Sequence, residues 1–148
     1  MTQIDFYTNV ADKLGTACRI VAKGYGLRHR IVVCCPDADS AQRVDRLLWT
    51  NPATGFIPHC SPTDALAAMT PVIVEHRGEE PVHDQVLVNL RDERPSFFGR
   101  FERLIEIVSV DEADRQRARE RFRFYRDRGY AIRTHDLNEA ATAPGAAA

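Results

Sequence analysis

No stretch of the chain approaches the roughly 20 consecutive apolar residues of a membrane-spanning helix, so no membrane association is expected. The N-terminus, Met1-Thr2-Gln3-Ile4-Asp5, starts at once on a strand-like pattern. With no basic region ahead of an apolar one, it predicts no secretory signal and a cytoplasmic location. Glycine-rich phosphate loops are missing too. The turn after the first apolar run reads Thr8-Asn9-Val10-Ala11-Asp12, which is neither G-x-G-x-x-G nor G-x-x-x-x-G-K-[ST], so nothing there cradles a phosphate. The four cysteines (Cys18, Cys34, Cys35 and Cys60) show no paired spacing and read as reduced, buried or semi-buried thiols. There is no serine-triad signature, no carboxylate pair in an apolar setting and no internal repeat. Lysine is scarce: 2 against 18 arginines. A GC-rich genome raises arginine throughout a proteome, so its abundance says little and its clustering is the signal.

What is present is the composition of one globular domain. The chain has 148 residues, 44% hydrophobic and 28% charged, enough for one sizeable core. Ile4 to Tyr7 reads as a first strand, and Val10 to Lys23 as a helix with Leu14, Ala17, Cys18 and Val21 on one stripe, ended by Gly24 and Gly26. Arg30 to Cys35 reads as a buried parallel strand stopped by Pro36. Asp37 or Asp39 is placed to cap a helix running to about Trp49, with Val44, Leu47 and Leu48 inward. Residues 50–70 read as irregular, with three prolines and one short helix over 64–69. Pro71 to Glu75 and Gln85 to Leu90 are β-rich runs joined by a polar connection, a hairpin-like region. Ser96 to Leu104 reads as a helix running into a strand over Ile105 to Val108. Asp111 to Arg128 is the last helix and Tyr130 to Thr134 a final strand. The expected architecture is a single α/β domain over 1–137: a mixed or mostly parallel sheet with helices on both faces, Rossmann-like without a phosphate-binding loop. The Ala-rich stretch 138–148 reads as a disordered tail.

Several groups are candidates for chemistry. Cys34-Cys35-Pro36 lies at the carboxyl end of a central strand, where α/β enzymes place catalytic groups. Asp37 and Asp39 oppose a thiolate there, so buried thiols are the favoured reading and a small thiol-dependent enzyme the remote alternative. His59 and Cys60 would have to join Cys34 and Cys35 to hold a metal, and lack the close ligand pairs such sites use. No metal or cofactor is expected. His76 and His83, in the polar connection, read as solvated, and Glu79-Glu80 as an exposed acidic pair. More distinctive is the proline-rich loop that carries Trp49, the only tryptophan, together with Phe56. Two readings stand level: the aromatics tuck under the loop, or they form a hydrophobic docking surface.

The strongest signal lies near the C-terminus. Arg115, Arg117, Arg119, Arg121, Arg123, Arg126 and Arg128 fall within fourteen residues that include only Glu120 and Asp127 as acids. That segment carries a formal +5, whereas the whole chain carries -1. At about 100° per residue, Arg115, Arg119, Phe122, Arg123 and Arg126 share one arc, with Ala118 and Tyr125 beside it to pack on the sheet. Arg117, Arg121, Phe124 and Arg128 form a second arc, whose arginines are expected to be solvated. A charged helix face with arginine stems over apolar surface is the plain reading. An aromatic set within a basic face also suits an acidic peptide with an apolar end, or single-stranded nucleic acid.

The segment Ala118-Arg119-Glu120-Arg121-Phe122-Arg123-Phe124-Tyr125-Arg126, followed by Gly129, resembles the last helix of the chi subunit of bacterial DNA polymerase III. Val44-Asp45-Arg46-Leu47-Leu48-Trp49 followed by Phe56-Ile57-Pro58-His59, and the opening Asp5-Phe6-Tyr7, resemble that family as well. The resemblance implies a non-catalytic clamp-loader accessory protein that meets DNA only indirectly. Such a protein binds the acidic C-terminal tail of single-strand DNA-binding protein, which ends in Pro-Phe with a free carboxylate, and links it to the psi subunit. By position, Arg115, Arg119, Phe122 and Arg123, with Arg126 as a fourth cation, would form the tail site. Trp49, Pro52, Phe56 and Ile57 would face psi, or a DNA-repair helicase that some members engage in its place. The family commonly has Lys at the positions of Arg115 and Arg123 and Tyr at that of Phe122, so charge is kept and a phenol hydroxyl is lost. The segment from Cys60 to Glu80 departs most from the pattern, and no role transfers to it. A direct single-stranded nucleic-acid binder remains the alternative.

Overall fold

Ile31-Val32-Val33-Cys34, Val72-Ile73-Val74 and Val86-Leu87-Val88 are apolar on both sides, as strands covered on both faces must be, and all three runs are buried. They lie at the centre of a seven-stranded sheet in the computed structural model, which describes residues 1–50 and 56–137. In chain order the elements are β1 (Gln3–Val10), α1 (Lys13–Gly26), β2 (Ile31–Cys34), α2 (Ala38–Thr50), β3 (His59–Cys60), β4 (Val72–Glu75), β5 (Val86–Asn89), β6 (Arg103–Ser109), α3 (Glu112–Asp127) and β7 (Ile132–Asp136). The strand order is β3-β4-β2-β5-β6-β1-β7. Every neighbouring pair among the described residues is parallel.

Alternation along the strands divides the core in two. Ile31, Val33, Val72, Val74, Val86, Val88, Ile105 and Ile107 face α1 and α2, meeting Ala17, Cys18, Val21, Val44 and Leu48. Val32, Ile73, Leu87, Leu104, Ile4 and Phe6 face the other way, beneath α3 and two 3₁₀ turns, and meet Phe97, Phe98, Phe101, Ala118 and Tyr125. Each fully buried aliphatic contributes on the order of 1.5–3 kcal/mol. Helices therefore cover both faces, as the α/β pattern predicts.

The α1 helix starts later than expected, because Val10 still belongs to β1 and Asp12 caps the helix by accepting from the Gly15 amide at 3.0 Å. It runs through Gly24 and ends at Gly26. Gly24 serves packing: a Cβ there would lie 2.7 Å from Ile31 Cδ1. At α2 the cap is Asp37, whose carboxylate accepts from the Ser40 amide at 2.7 Å.

Three expectations fail. Ser96 to Leu104 is not a helix. Only a single 3₁₀ turn, Phe98–Arg100, forms, because Phe97, Phe98 and Phe101 all turn onto the second core while Arg103 and Leu104 pair with β5 and β1. The β4–β5 region is no hairpin. Both strands pair parallel to β2 from opposite sides, so the connection crosses over β2 and returns from the carboxyl end of the sheet to its amino end. It carries His83 inward to donate to the Thr70 carbonyl at 2.6 Å, so His83 is buried rather than solvated. Within residues 50–70, the two-residue strand β3 pairs with Val72 and Ile73, and the short helix is confined to a 3₁₀ turn at Ala67–Met69. The tail expected from residue 138 lies outside the described residues.

Candidate functional site

α3 docks through Asp114, Ala118, Arg121 and Tyr125, a buried stripe at helical spacing. At its N-terminus Asp111 caps the helix by accepting from the Asp114 amide. Asp114 itself takes the Lys13 ammonium at 3.0 Å and the Ser109 amide at 2.8 Å, tying α1, β6 and α3 together. Burial pushes the Asp114 carboxyl up, but the Ser109 amide and the Lys13 charge outweigh it and hold the group below the ordinary aspartate range. The stability this contributes is present above the unfolded value and is lost as pH falls through the lower folded value. Asp114→Asn is therefore expected to cost about 1–2 kcal/mol at neutral pH and nothing in strong acid. Urea unfolding across an acid-to-neutral pH series checks this.

Arg121 is not the solvated bystander its arc suggests. Its side chain is 4% exposed. Nε donates to Glu106 Oε1 at 3.1 Å and Nη1 donates to the Asp92 carbonyl at 2.5 Å. Glu106, fully buried in mid-β6, also accepts from the Tyr125 hydroxyl at 2.6 Å and the Asn89 amide at 3.0 Å. The rest of the second arc is occupied as well. Arg117 lies 3.5 Å from Asp92, and Arg94 and Arg128 stack on the Phe124 ring at 3.5 and 4.4 Å.

The first arc is different. Arg115 and Arg119 share one exposed acid, Glu112, at 3.9 and 3.4 Å, contacts worth about 0–1 kcal/mol each. Arg126 meets its neighbour Asp127 at 3.1 Å. Arg123 makes no hydrogen bond or ion pair among the described residues. Beside Arg115 and Arg119 is a cleft of about 250 Å³, lined further by Phe6, Thr8, Asn9, Val108 and Ala118. It opens at the carboxyl ends of β1 and β6, a place where parallel sheets commonly bind ligands. A bulge shapes it. Tyr7 pairs with Ile107 and Val10 with Ser109, so β1 carries one extra residue. Asn9 absorbs it at φ 58° and is held by donating to Asp136 Oδ1 at 2.8 Å. Phe122 packs edge-on against the floor residue Phe6, with ring centroids 5.4 Å apart. The structure thus joins Arg115 and Arg119 in one cleft with Phe122 behind it, while Arg123 and Arg126 are not among its lining residues. Thr8, Asn9 and Val108 escape a sequence reading. Asparagine's tolerance of left-handed backbone is the one signal that hints at the bulge.

The second candidate surface lies at the end of α2. Trp49 and Phe56 are 48% and 66% exposed, with ring centroids 4.8 Å apart. Ile57, expected beside them, is instead fully buried in the first core, while its neighbour Phe56 faces water. Pro52 lies outside the described residues.

The other candidates do not assemble. Cys34 and Cys35 are fully buried. Burial, reinforced by the Glu75 carboxylate, pushes the Cys34 thiol well up and the Cys35 thiol to about 12, so neither is poised as a nucleophile. His59 is bound to Asp45 and the Ile57 carbonyl rather than to any cysteine. Among the described residues no group of three or more His, Cys, Asp or Glu side chains could hold a metal ion, and no helix is long and apolar enough to cross a membrane.

Residues 1–133 match the family described as DNA polymerase III chi subunit, HolC. The chain is 34% identical over 142 residues to the DNA polymerase III subunit chi of Pseudomonas aeruginosa, an alignment covering 93% of this chain and 98% of the relative. It is 29% identical over 118 residues to the subunit of the same name from Escherichia coli, covering 79% and 80% respectively.

Proposed function

The chain belongs to the DNA polymerase III chi subunit family, and we propose that it is a non-catalytic adaptor that binds the acidic C-terminal tail of single-strand DNA-binding protein. The observation that carries this reading is the β1–β6 cleft, with an apolar floor of Phe6, Val108 and Ala118 and two weakly committed arginines, Arg115 and Arg119, at its wall. A peptide ending in a phenyl ring and a free carboxylate matches both halves: the ring fills the floor and a guanidinium takes the carboxylate in bidentate fashion. Arg123 and Arg126 extend the positive field along the path of the upstream acids. Exposed contacts of this kind support an affinity near micromolar, on the order of -8 kcal/mol, weakening as salt screens the charges and restored by avidity toward a multi-tailed partner. The exposed Trp49–Phe56 pair is the surface for a second partner, the psi subunit or a DNA-repair helicase. That surface links the single-strand-binding complex to the clamp loader.

Direct binding of single-stranded nucleic acid by the same helix is less well supported. The aromatic available on the second arc, Phe124, is already covered by Arg94 and Arg128, and Arg117 and Arg121 are matched to Asp92 and Glu106. Titration with an acidic peptide ending in Pro-Phe, and separately with oligonucleotide, tests the choice. Saturable peptide binding that is abolished by amidating the peptide's terminus is expected. Tight oligonucleotide binding with no response to the peptide would remove the adaptor reading.

A further inference from the structure

His59 has a position that tail binding does not use. Its side chain is 1% exposed. One ring nitrogen, Nδ1, lies 2.7 Å from the Ile57 carbonyl, and the other, Nε2, lies 2.8 Å from Asp45 Oδ1. Both partners are acceptors: a carbonyl and an ionised carboxylate have no proton to give. The ring therefore spans two acceptors, within hydrogen-bond distance of both.

The two contacts join the two elements that present the exposed aromatics. Asp45 lies one helical turn before Trp49 on α2, and Ile57 directly follows Phe56. The His59 ring itself lies 4.7 Å from the Trp49 ring at 54°, a tilted aromatic contact. We infer that His59 is the positioning residue that staples α2 to the 56–59 segment and fixes the Trp49–Phe56 platform for docking; this rests on the reading of that platform as a partner surface.

The charged surroundings of the ring are simple. From α2 the facing charge is Asp45. The adjoining strand β4 pairs with His59 at Val72 and brings one titratable group, Glu75, at its far end and bound to the Gly78 amide. On its own strand the neighbour is Cys60, packed against the second core. Removal of either tie frees the aromatic pair to change its relative orientation.

The isolated chain provides a direct test, because Trp49 is its only tryptophan and its emission reports that ring alone. His59→Ala and Asp45→Ala, each compared with the wild type by circular dichroism, are expected to shift Trp49 emission and to weaken capture of the psi subunit about fivefold, the size of a coupling between neighbouring groups. His59→Gln, whose amide still reaches one of the two oxygens, is expected to restore part of both. Wild-type emission and wild-type psi capture in His59→Ala and Asp45→Ala overturn the inference. Unchanged psi capture by Trp49→Ala is a separate failure. It removes the docking surface while leaving the staple to be judged on the emission.

Discussion

Arg121→Ala is expected to cost about 3–5 kcal/mol of folding stability, because it strips the paired cation from a fully buried carboxylate. Glu106 is fully buried, and its two oxygens take the Arg121 guanidinium, the Tyr125 hydroxyl and the Asn89 amide. Burial pushes the Glu106 carboxyl up, while Arg121, Tyr125 and Asn89 pull it back. Without Arg121 the largest opposing interaction is gone, and the Tyr125 and Asn89 hydrogen bonds alone remain against the upward push. A carboxyl raised in the folded state stabilises while protonated, and that contribution fades as pH rises through the folded value. The deficit of Arg121→Ala should therefore be smallest in acid and grow toward neutral pH. Adding Glu106→Gln should recover much of the loss, since the amide keeps hydrogen bonds without a buried charge. Denaturant unfolding of the single and double variants over a pH series decides it. A single-variant loss below about 1 kcal/mol, the scale of an exposed pair, would mean that the network does not hold α3 to the sheet.

Arg121 also illustrates where a sequence stops being legible. Helical spacing places it on the outer arc with Arg117 and Arg128, and arginine is almost never fully buried unless paired. Its partner, Glu106, lies on β6 among Leu104, Ile105, Ile107 and Val108. The acid interrupts an apolar run, but nothing in the run says which cation meets it. Such pairing depends on how α3 is laid over the sheet, a tertiary fact. The same limit explains His83 and β3. A histidine in a polar connection looks solvated until the connection is known to return along the sheet and bring it to the Thr70 carbonyl. A two-residue strand has too few residues to show a period.

What was legible rests on period and composition. The central strands read as buried because they are apolar on both sides, and α3 read as a helix docked through Ala118 and Tyr125 because those positions share a stripe. Cleft and platform were legible in halves. Arg115, Arg119 and Phe122 were visible as one arc of a helix, but the opposite wall depends on a bulge at Thr8 and Asn9 that one asparagine barely announces. Trp49 and Phe56 were visible as aromatics at a proline-rich loop, but whether they tuck under it or face water is settled only by the fold. Ile57 was misassigned with them because loop composition does not show which of two adjacent side chains enters the core.

The double variant Arg115→Ala/Arg119→Ala is expected to weaken binding of an acidic Pro-Phe peptide about 100-fold. Each arginine offers a charge-assisted contact worth about 1.5 kcal/mol or more, and two such losses amount to about two decades. Stability should change little, because both side chains are exposed and share only Glu112 at long range. The dependence of affinity on salt should flatten in the double variant, since two of the screened charges are gone. Arg117→Ala is the matched control. It removes the same charge from the same helix, but its guanidinium faces Asp92 on the second arc, so the peptide should lose less than about twofold in affinity. Phe122→Ala separates the apolar half of the site. It withdraws the ring packed behind Phe6 and should weaken the peptide with its terminal Phe while leaving a peptide that ends in Ala almost unaffected. Calorimetric titration of the four proteins with the two peptides distinguishes the possibilities. Equal losses for Arg117→Ala and the double variant would reduce the helix to a diffuse positive field. Losses confined to the double variant and to Phe122→Ala would place the terminal residue in the cleft between β1, β6 and α3.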